Sequence, residues 1–390
     1  MKKITAGVFL FLLLHIENIN LIGSIKISIL WKLALIFWLF TKSLKIKSKN
    51  HLYRPFYFLS ILSLFHVFSD FVSFSLSANF MLFYLLGVYL SSLTFDKIYR
   101  YLNFLRFFLV LVFIPYAFLG LESLGEVYDL DKYDGGFGLT GPFANPHTSS
   151  MILAIVACIN LFFLRKNKNK TFNLLILSLS IYFLIMTYVR TGIAMFIIGS
   201  ILIFFNELKI KKIVKPLIFI IVSSFLIINF GNFDSIFFKR MKGEDKYNKE
   251  ENLEQLGSGR GLLFIHGLDI LVSYDNPLNY IYGIGQSKLF EEIKKRTGNP
   301  LVTHNGFLDI AIIHGLLGLI LILYFLHKNL IILIRNRNNK YFSLGLAILF
   351  STIVMIFFQD HKRFYSILLL LLVNSVILSQ KNATKKVNTL

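Results

Sequence analysis

Apolar residues arrive in long stretches broken by short charged pieces. Stretches able to cross about 30 Å of hydrocarbon need roughly 17 to 25 residues, fewer or more with tilt. They occupy 4–22, 26–41, 56–74, 76–93, 107–121, 149–164, 171–189, 192–206, 216–231, 306–326, 341–358 and 364–380. Lipid offers the backbone no partners, so each stretch is expected as a helix that satisfies its own hydrogen bonds, about twelve in all. The predicted class is all-α: a polytopic membrane protein forming a single integral domain over 1–390. Two connections are too long for turns. The smaller, 122–148, is acidic and then punctuated by Gly and Pro. The larger, 232–305, lies between spans nine and ten. It opens with KRMKGEDKYNKEENLEQ and becomes half-apolar in GLLFIHGLDILV and YIYGIGQSKLFEEIKKR, expected as short amphipathic helices along the membrane surface.

Composition agrees, because 55% hydrophobic residues, forty-two Phe and a mean hydropathy of +0.65 lie outside the range of a soluble domain. MKKITAGVFLFLLLH has the basic start and apolar core of a secretory signal, but no small-residue cleavage site follows and further spans do. It is read as a retained first span. A net charge of +20 suggests a nucleic-acid partner until the charges are placed. With the N-terminus inside, the cytoplasmic pieces hold about 25 Lys/Arg and about 2 acids, and the outward pieces about 15 and 16. The surplus then faces anionic headgroups on short cytoplasmic turns, which removes nucleic acid as a partner and places both termini in the cytoplasm. The single cysteine, Cys158, excludes an intramolecular disulfide.

Candidate chemistry lies on the outward side. Arg190, in MTYVRTGIAMF, is costly to hold near lipid, and anchoring arginines belong on the inner side. Arg260 sits in Gly257-Ser258-Gly259-Arg260-Gly261, where glycines admit close approach of a ligand and the guanidinium fork suits a phosphate or diphosphate. His304 and Asn305 precede the tenth span, at a water–lipid boundary where a histidine can take a proton from a hydroxyl. Asp309, four residues beyond Asn305, shares its helix face and is expected to look into the same polar cavity. His266 and His314 are competitors with weaker placement. Glu17 with His15, Lys32, and His66 with Asp70 must pair or face a cavity inside the membrane. Asp129-Leu130-Asp131 has the pattern of a divalent-ion chelate, although paired acids are common in an acidic loop. No His/Cys cluster, P-loop or dinucleotide fingerprint occurs.

Four segments together resemble the O-antigen polymerase and ligase superfamily of bacterial envelope glycosyltransferases. They are GFGLTGPFANPHTSSMILA, YVRTGIAMF, GSGRGLLFIHG and THNGFLDIAIIHGLLGLI, and the likeness spans about 120–330. The resemblance implies a GT-C-like membrane enzyme of the bacterial inner membrane. It implies an inverting, metal-independent transfer on the periplasmic face, with no cofactor and no metal. The donor would be an oligosaccharide on undecaprenyl diphosphate, and a chain-length regulator is an expected partner besides membrane lipids. The family's essential residues fall on Arg190, Arg260 and His304 as catalytic groups, with Asn305, Asp309 and Asn145 contacting substrate. The Phe143-Ala144-Asn145-Pro146 loop looks more like the polymerases, which elongate a second lipid-linked repeat, than the ligases, which transfer to lipid A core. A flippase for the same lipid-linked oligosaccharide and a metal-dependent lipid-phosphosugar glycosyltransferase are the competing classes.

Overall fold

The computed structural model describes residues 20–22, 25–44, 46, 51–67, 72–121, 138–143, 145–166, 169–205, 260–298, 300–358 and 364–387. Outside them fall most of the first predicted span, the predicted span 216–231 and the stretch 232–259. So do His15, Glu17, Asp70, Asp129 and Asp131.

Helices make up almost all of the described chain. They are α1 (Ile27–Ser43), α2 (Arg54–Phe65), α3 (Val72–Ser92), α4 (Phe95–Leu111), α5 (Ile114–Phe118), α6 (Pro146–Lys166) and α7 (Lys170–Met186). They continue as α8 (Arg190–Phe205), α9 (Arg260–Val272), α10 (Leu278–Tyr282), α11 (Gln286–Thr297), α12 (Gly306–Arg335), α13 (Phe342–Phe358) and α14 (Phe364–Val387). The exception is a minimal antiparallel hairpin, β1 (Asn20–Ile22) with β2 (Ile25–Lys26). It corrects the end of the first predicted span: β-branched isoleucines flank Gly23-Ser24, a hairpin sequence. Among the described residues, four helices are long and apolar enough to cross a membrane: Ser73–Ser92, Phe95–Phe118, Pro146–Lys166 and Gly306–Arg335. Six further apolar helices run 10–17 residues.

Helix α6 is the hub. Every residue from Thr148 to Phe163 is buried, as expected of a helix that is apolar all round. It runs parallel to α8 because Gly192 packs on Ser150, Gly199 on Cys158, and the Arg165 guanidinium reaches the Ile203 carbonyl at 2.5 Å. At both glycines a Cβ would strike the facing helix, so these small residues set how closely the two helices approach. Helix α13 runs the other way, since Tyr341 at its start lies 5.5 Å from Phe162 near the end of α6. Helix α12 is antiparallel to α13, with Leu333 against Gly345. Helix α2 is antiparallel to α12, with Phe56 on Phe325 at 4.5 Å.

These directions put the N-termini of α6, α8 and α12 at one end of the bundle. Arg54, Lys97, Arg100, Arg165, Lys166, Arg335 and Lys340 gather at the other. Among the cations expected on cytoplasmic turns, Arg106 departs from the pattern: it is 3% exposed and lies inside the bundle. Its guanidinium donates to Asn103 (2.8 Å), Asn160 (3.0 Å) and Asn173 (2.9 Å), and stacks between the Phe107 and Phe163 rings at 4.1 and 4.2 Å. Three amide carbonyls and two π faces replace its water, which ties α4, α6 and α7 together. Lys32 on α1 is half-buried, with its ammonium 5.8 Å from the Trp31 ring.

Helix α12 is broken at Gly315, whose backbone (φ 66°, ψ −167°) is not helical. The break removes helical donors from the Ile312 and Ile313 carbonyls, and groups from outside the helix replace them. Ile284 N donates to Ile312 O (2.9 Å) and Gly285 N to Ile313 O (3.2 Å), while the Tyr274 hydroxyl reaches Ile312 O at 3.3 Å. Gly283 meets the backbone of Ile313 and Gly315 that of Ile281, so neither position has room for a Cβ. His66 Nε2 is 3.0 Å from the Tyr282 carbonyl, which fastens the end of α2 to the same joint. Its expected partner Asp70 lies outside the described residues.

Candidate functional site

The bundle end opposite the basic residues holds the sequence-predicted site. Its first part is the start of α6. Asn145 caps the helix, its Oδ1 accepting from Thr148 N (2.9 Å) and Thr148 Oγ1 (3.0 Å), and Pro146 follows at the position where a missing N–H costs nothing. The preceding loop is fastened over the turn between α7 and α8. Leu139 N donates to Met186 O at 2.8 Å, Gly138 abuts the Thr187 carbonyl, and Phe143 packs on Phe113 at 5.7 Å. That turn leads into Arg190, the first residue of α8, which is exposed. A cation opposes the positive pole of a helix N-terminus, and α8 has no acid in its first turn to offset it. The helix pole therefore does not favour Arg190 at this position.

The second part is the start of α12. Asn305 is its N-cap, with Oδ1 accepting from Phe307 N and Leu308 N, both at 3.1 Å. Asp309 lies in the first turn, where a negative charge suits the helix pole. Its Oδ1 accepts from Thr303 N (3.0 Å) and Thr303 Oγ1 (2.8 Å). Helix α9 packs here through Gly267, which fits against the Thr303 methyl and Leu308. Arg260 opens α9 and, like Arg190, begins a helix with no acid in its first turn. It stands seven residues from Gly267, about 10 Å along the axis. The structure thus brings Asn145 against the turn carrying Arg190, and the helix of Arg260 against the segment carrying His304.

His304 and Tyr188 are the non-glycine residues with positive φ among those described, at 55° and 53°. Such a conformation costs of order 1–3 kcal/mol and persists only where the surroundings enforce it. One is the expected proton acceptor and the other stands two residues before Arg190. Neither angle has a sequence signature. Of the competing histidines, His266 is half-buried on α9 and His314 is buried beside Gly315, its ring 5.7 Å from Phe80.

Helix α11 buttresses α9. Arg296 binds Glu292 on its own helix at 2.6 Å and Asp269 on α9 at 3.1 Å. Hydrogen bonds from Lys295 and Arg296 hold the Glu292 carboxyl below the usual carboxylate range. Burial pushes the Tyr274 phenol up. Among the described residues no group of three or more His, Cys, Asp or Glu gathers in a way that would hold a metal ion.

Comparison with curated proteins returns no match. Residues 175–323 match a family model described as O-antigen ligase, a range that includes Arg190, Arg260, His304, Asn305 and Asp309 and excludes Asn145. The apolar helices are consistent with a membrane protein, and from α7 into α12 the chain matches an O-antigen ligase family domain, consistent with the O-antigen polymerase and ligase superfamily.

Proposed function

We propose that the protein is a surface-polysaccharide polymerase that transfers a glycan from undecaprenyl diphosphate to a second lipid-linked repeat on the periplasmic face of the inner membrane. The observation that carries the reading is the backbone strain beside Arg190 and at His304, the two points where the chemistry was expected. Strain of this kind marks residues held for a task. The gathering of basic residues at the opposite end supports the outward orientation, with both termini cytoplasmic.

In this mechanism His304 accepts the proton of the acceptor hydroxyl as its oxygen attacks the anomeric carbon. The bond to the diphosphate breaks on the opposite face, so the configuration inverts. Arg190 and Arg260 meet the charge developing on the leaving diphosphate, the part a metal ion plays in other transferases. Each arginine opens a helix, whose N-terminal N–H groups add a pole that favours an anion. Asn145 and Asn305 flank the acceptor, and a chain-length regulator is an expected partner.

Transfer to lipid A core is the second reading, favoured by the description of the matching family. A deletion strain separates them by its lipopolysaccharide profile. One repeat on core is expected; core with no O-antigen would make the protein a ligase, and repeats trapped inside would make it a flippase. Purified protein should elongate lipid-linked repeats with chelator present, and strict dependence on added metal would overturn the mechanism.

A further inference from the structure

We propose that Asp309 is the positioning residue of the site, fixing the backbone at His304 through Thr303; this rests on the reading of His304 as the proton acceptor. Asp309 is 1% exposed, in the first turn of an apolar helix, where a carboxylate is tolerated only if hydrogen bonded. Its Oδ1 takes two hydrogen bonds from one residue, from Thr303 N and Thr303 Oγ1. The hydroxyl is also 3.1 Å from Asn305 O and accepts from Asn305 N at 3.2 Å. It has a single proton, which goes to the shorter, charged partner at 2.8 Å, leaving its lone pairs for Asn305 N.

The outcome is a closed ring of bonds around one residue. Thr303 is pinned to Asp309, and Asn305 is pinned both to Thr303 and, through its cap, to Phe307 and Leu308. His304 is the single residue between two fixed ones, and its φ of 55° is what closing that gap requires. The Thr303 methyl is also where Gly267 seats α9, so the clamp that sets the histidine also registers the helix of Arg260. A carboxylate so enclosed acts on the histidine through the turn rather than on a sugar directly.

The test uses full-length protein in nanodiscs and two readouts: transfer kinetics on lipid-linked repeats, and the pH profile of diethyl pyrocarbonate modification at His304, with His266 as control. D309N and T303V are expected to lower kcat by about 10²-fold with little change in KM for the lipid donor. They are also expected to alter the His304 profile and leave that of His266 as in wild type. T303S, which keeps the hydroxyl, should restore both. A folded D309N with the wild-type kcat and His304 profile overturns the proposal, as does a loss of melting temperature alone. If D309N does not accumulate, T303V against T303S decides the matter by the same two readouts. An altered His304 profile in an enzyme that stays active as H304A would uphold the clamp and sink the proton-acceptor reading instead.

Discussion

His304 pairs a left-handed backbone with a half-buried imidazole, and the two properties pull stability and chemistry apart. Glycine adopts that φ without strain, so H304G should recover most of an estimated 1–3 kcal/mol, less about 0.5–1 for the freer unfolded chain. The expected outcome is a higher melting temperature in detergent with activity lowered by about 10²–10⁴, the usual worth of a general base. A melting temperature that falls would mean the ring packs more strongly than the backbone resists. Arg260 calls for a different substitution, because charge and shape must be separated. R260K keeps the cation and loses the fork, so transfer should drop by roughly 10- to 100-fold, equivalent to one charged hydrogen bond of about 1.5–3 kcal/mol. Full activity on lipid-linked repeats would remove its role as a diphosphate clamp. The positions of these residues were legible from the sequence, since a glycine-flanked arginine and a histidine before an apolar run are marked by their neighbours. The Thr303–Asp309 clamp was not legible, because a Thr and an Asp six apart leave no periodic trace when one lies outside the helix.

At the scale of elements, the helix starts were easier to read than the helix interiors. Helix α12 begins at Gly306, as the predicted span does, whereas α6 begins at Pro146, three residues before the predicted start at 149, because Asn145 caps it there. The break in α12 was hidden, because Gly315 and Gly318 sit in the same apolar run and nothing local says which one kinks. What decides it is the segment Ile281–Gly283, outside the helix: the Ile281 backbone occupies the space a Cβ on Gly315 would need, and Gly283 lies against the Ile313 backbone. G315A should therefore cost about 1–3 kcal/mol for a backbone that glycine alone adopts readily and a further 1–3 for the collision with Ile281. G318A meets the His314 side chain instead of backbone, and provides the comparison. Thermal unfolding of the two variants side by side checks the order, G315A below G318A. Arg106 shows the same limit of sequence reading: its neighbours marked a basic turn, and only the fold supplied Asn160 and Asn173.

At the scale of the whole molecule, the described cations Arg54, Lys97, Arg100, Arg165, Lys166, Arg335 and Lys340 collect at one end, because charges on alternate turns of antiparallel helices must do so. The packing partners of the long connecting segment did not follow from sequence, since amphipathic helices fit a membrane surface and a protein surface equally well. Here α9 and α11 are joined by Asp269, Glu292 and Arg296, and that joint depends on acid. The Glu292 carboxyl titrates lower in the folded protein than in the unfolded chain, so its contribution is complete above the ordinary carboxylate value of 4.5 and is lost as pH falls through the folded value. The gap in melting temperature between wild type and E292Q should be constant near neutrality and close as pH drops below that point. A gap unchanged at low pH would place the contribution elsewhere. The length of α12 has a consequence on the same scale. Its 30 residues make about 45 Å of helix, against about 30 Å of hydrocarbon. The part before Gly315 is wrapped by α9 to α11, whereas Leu316, Leu317 and Ile320 just beyond it are exposed and apolar. The overhang is therefore at the His304 end. The bundle carries its histidine on a mast stepped at the joint of Gly283 and Gly315, and in the proposed transfer that height sets how far above its lipid anchor a sugar must reach to be joined.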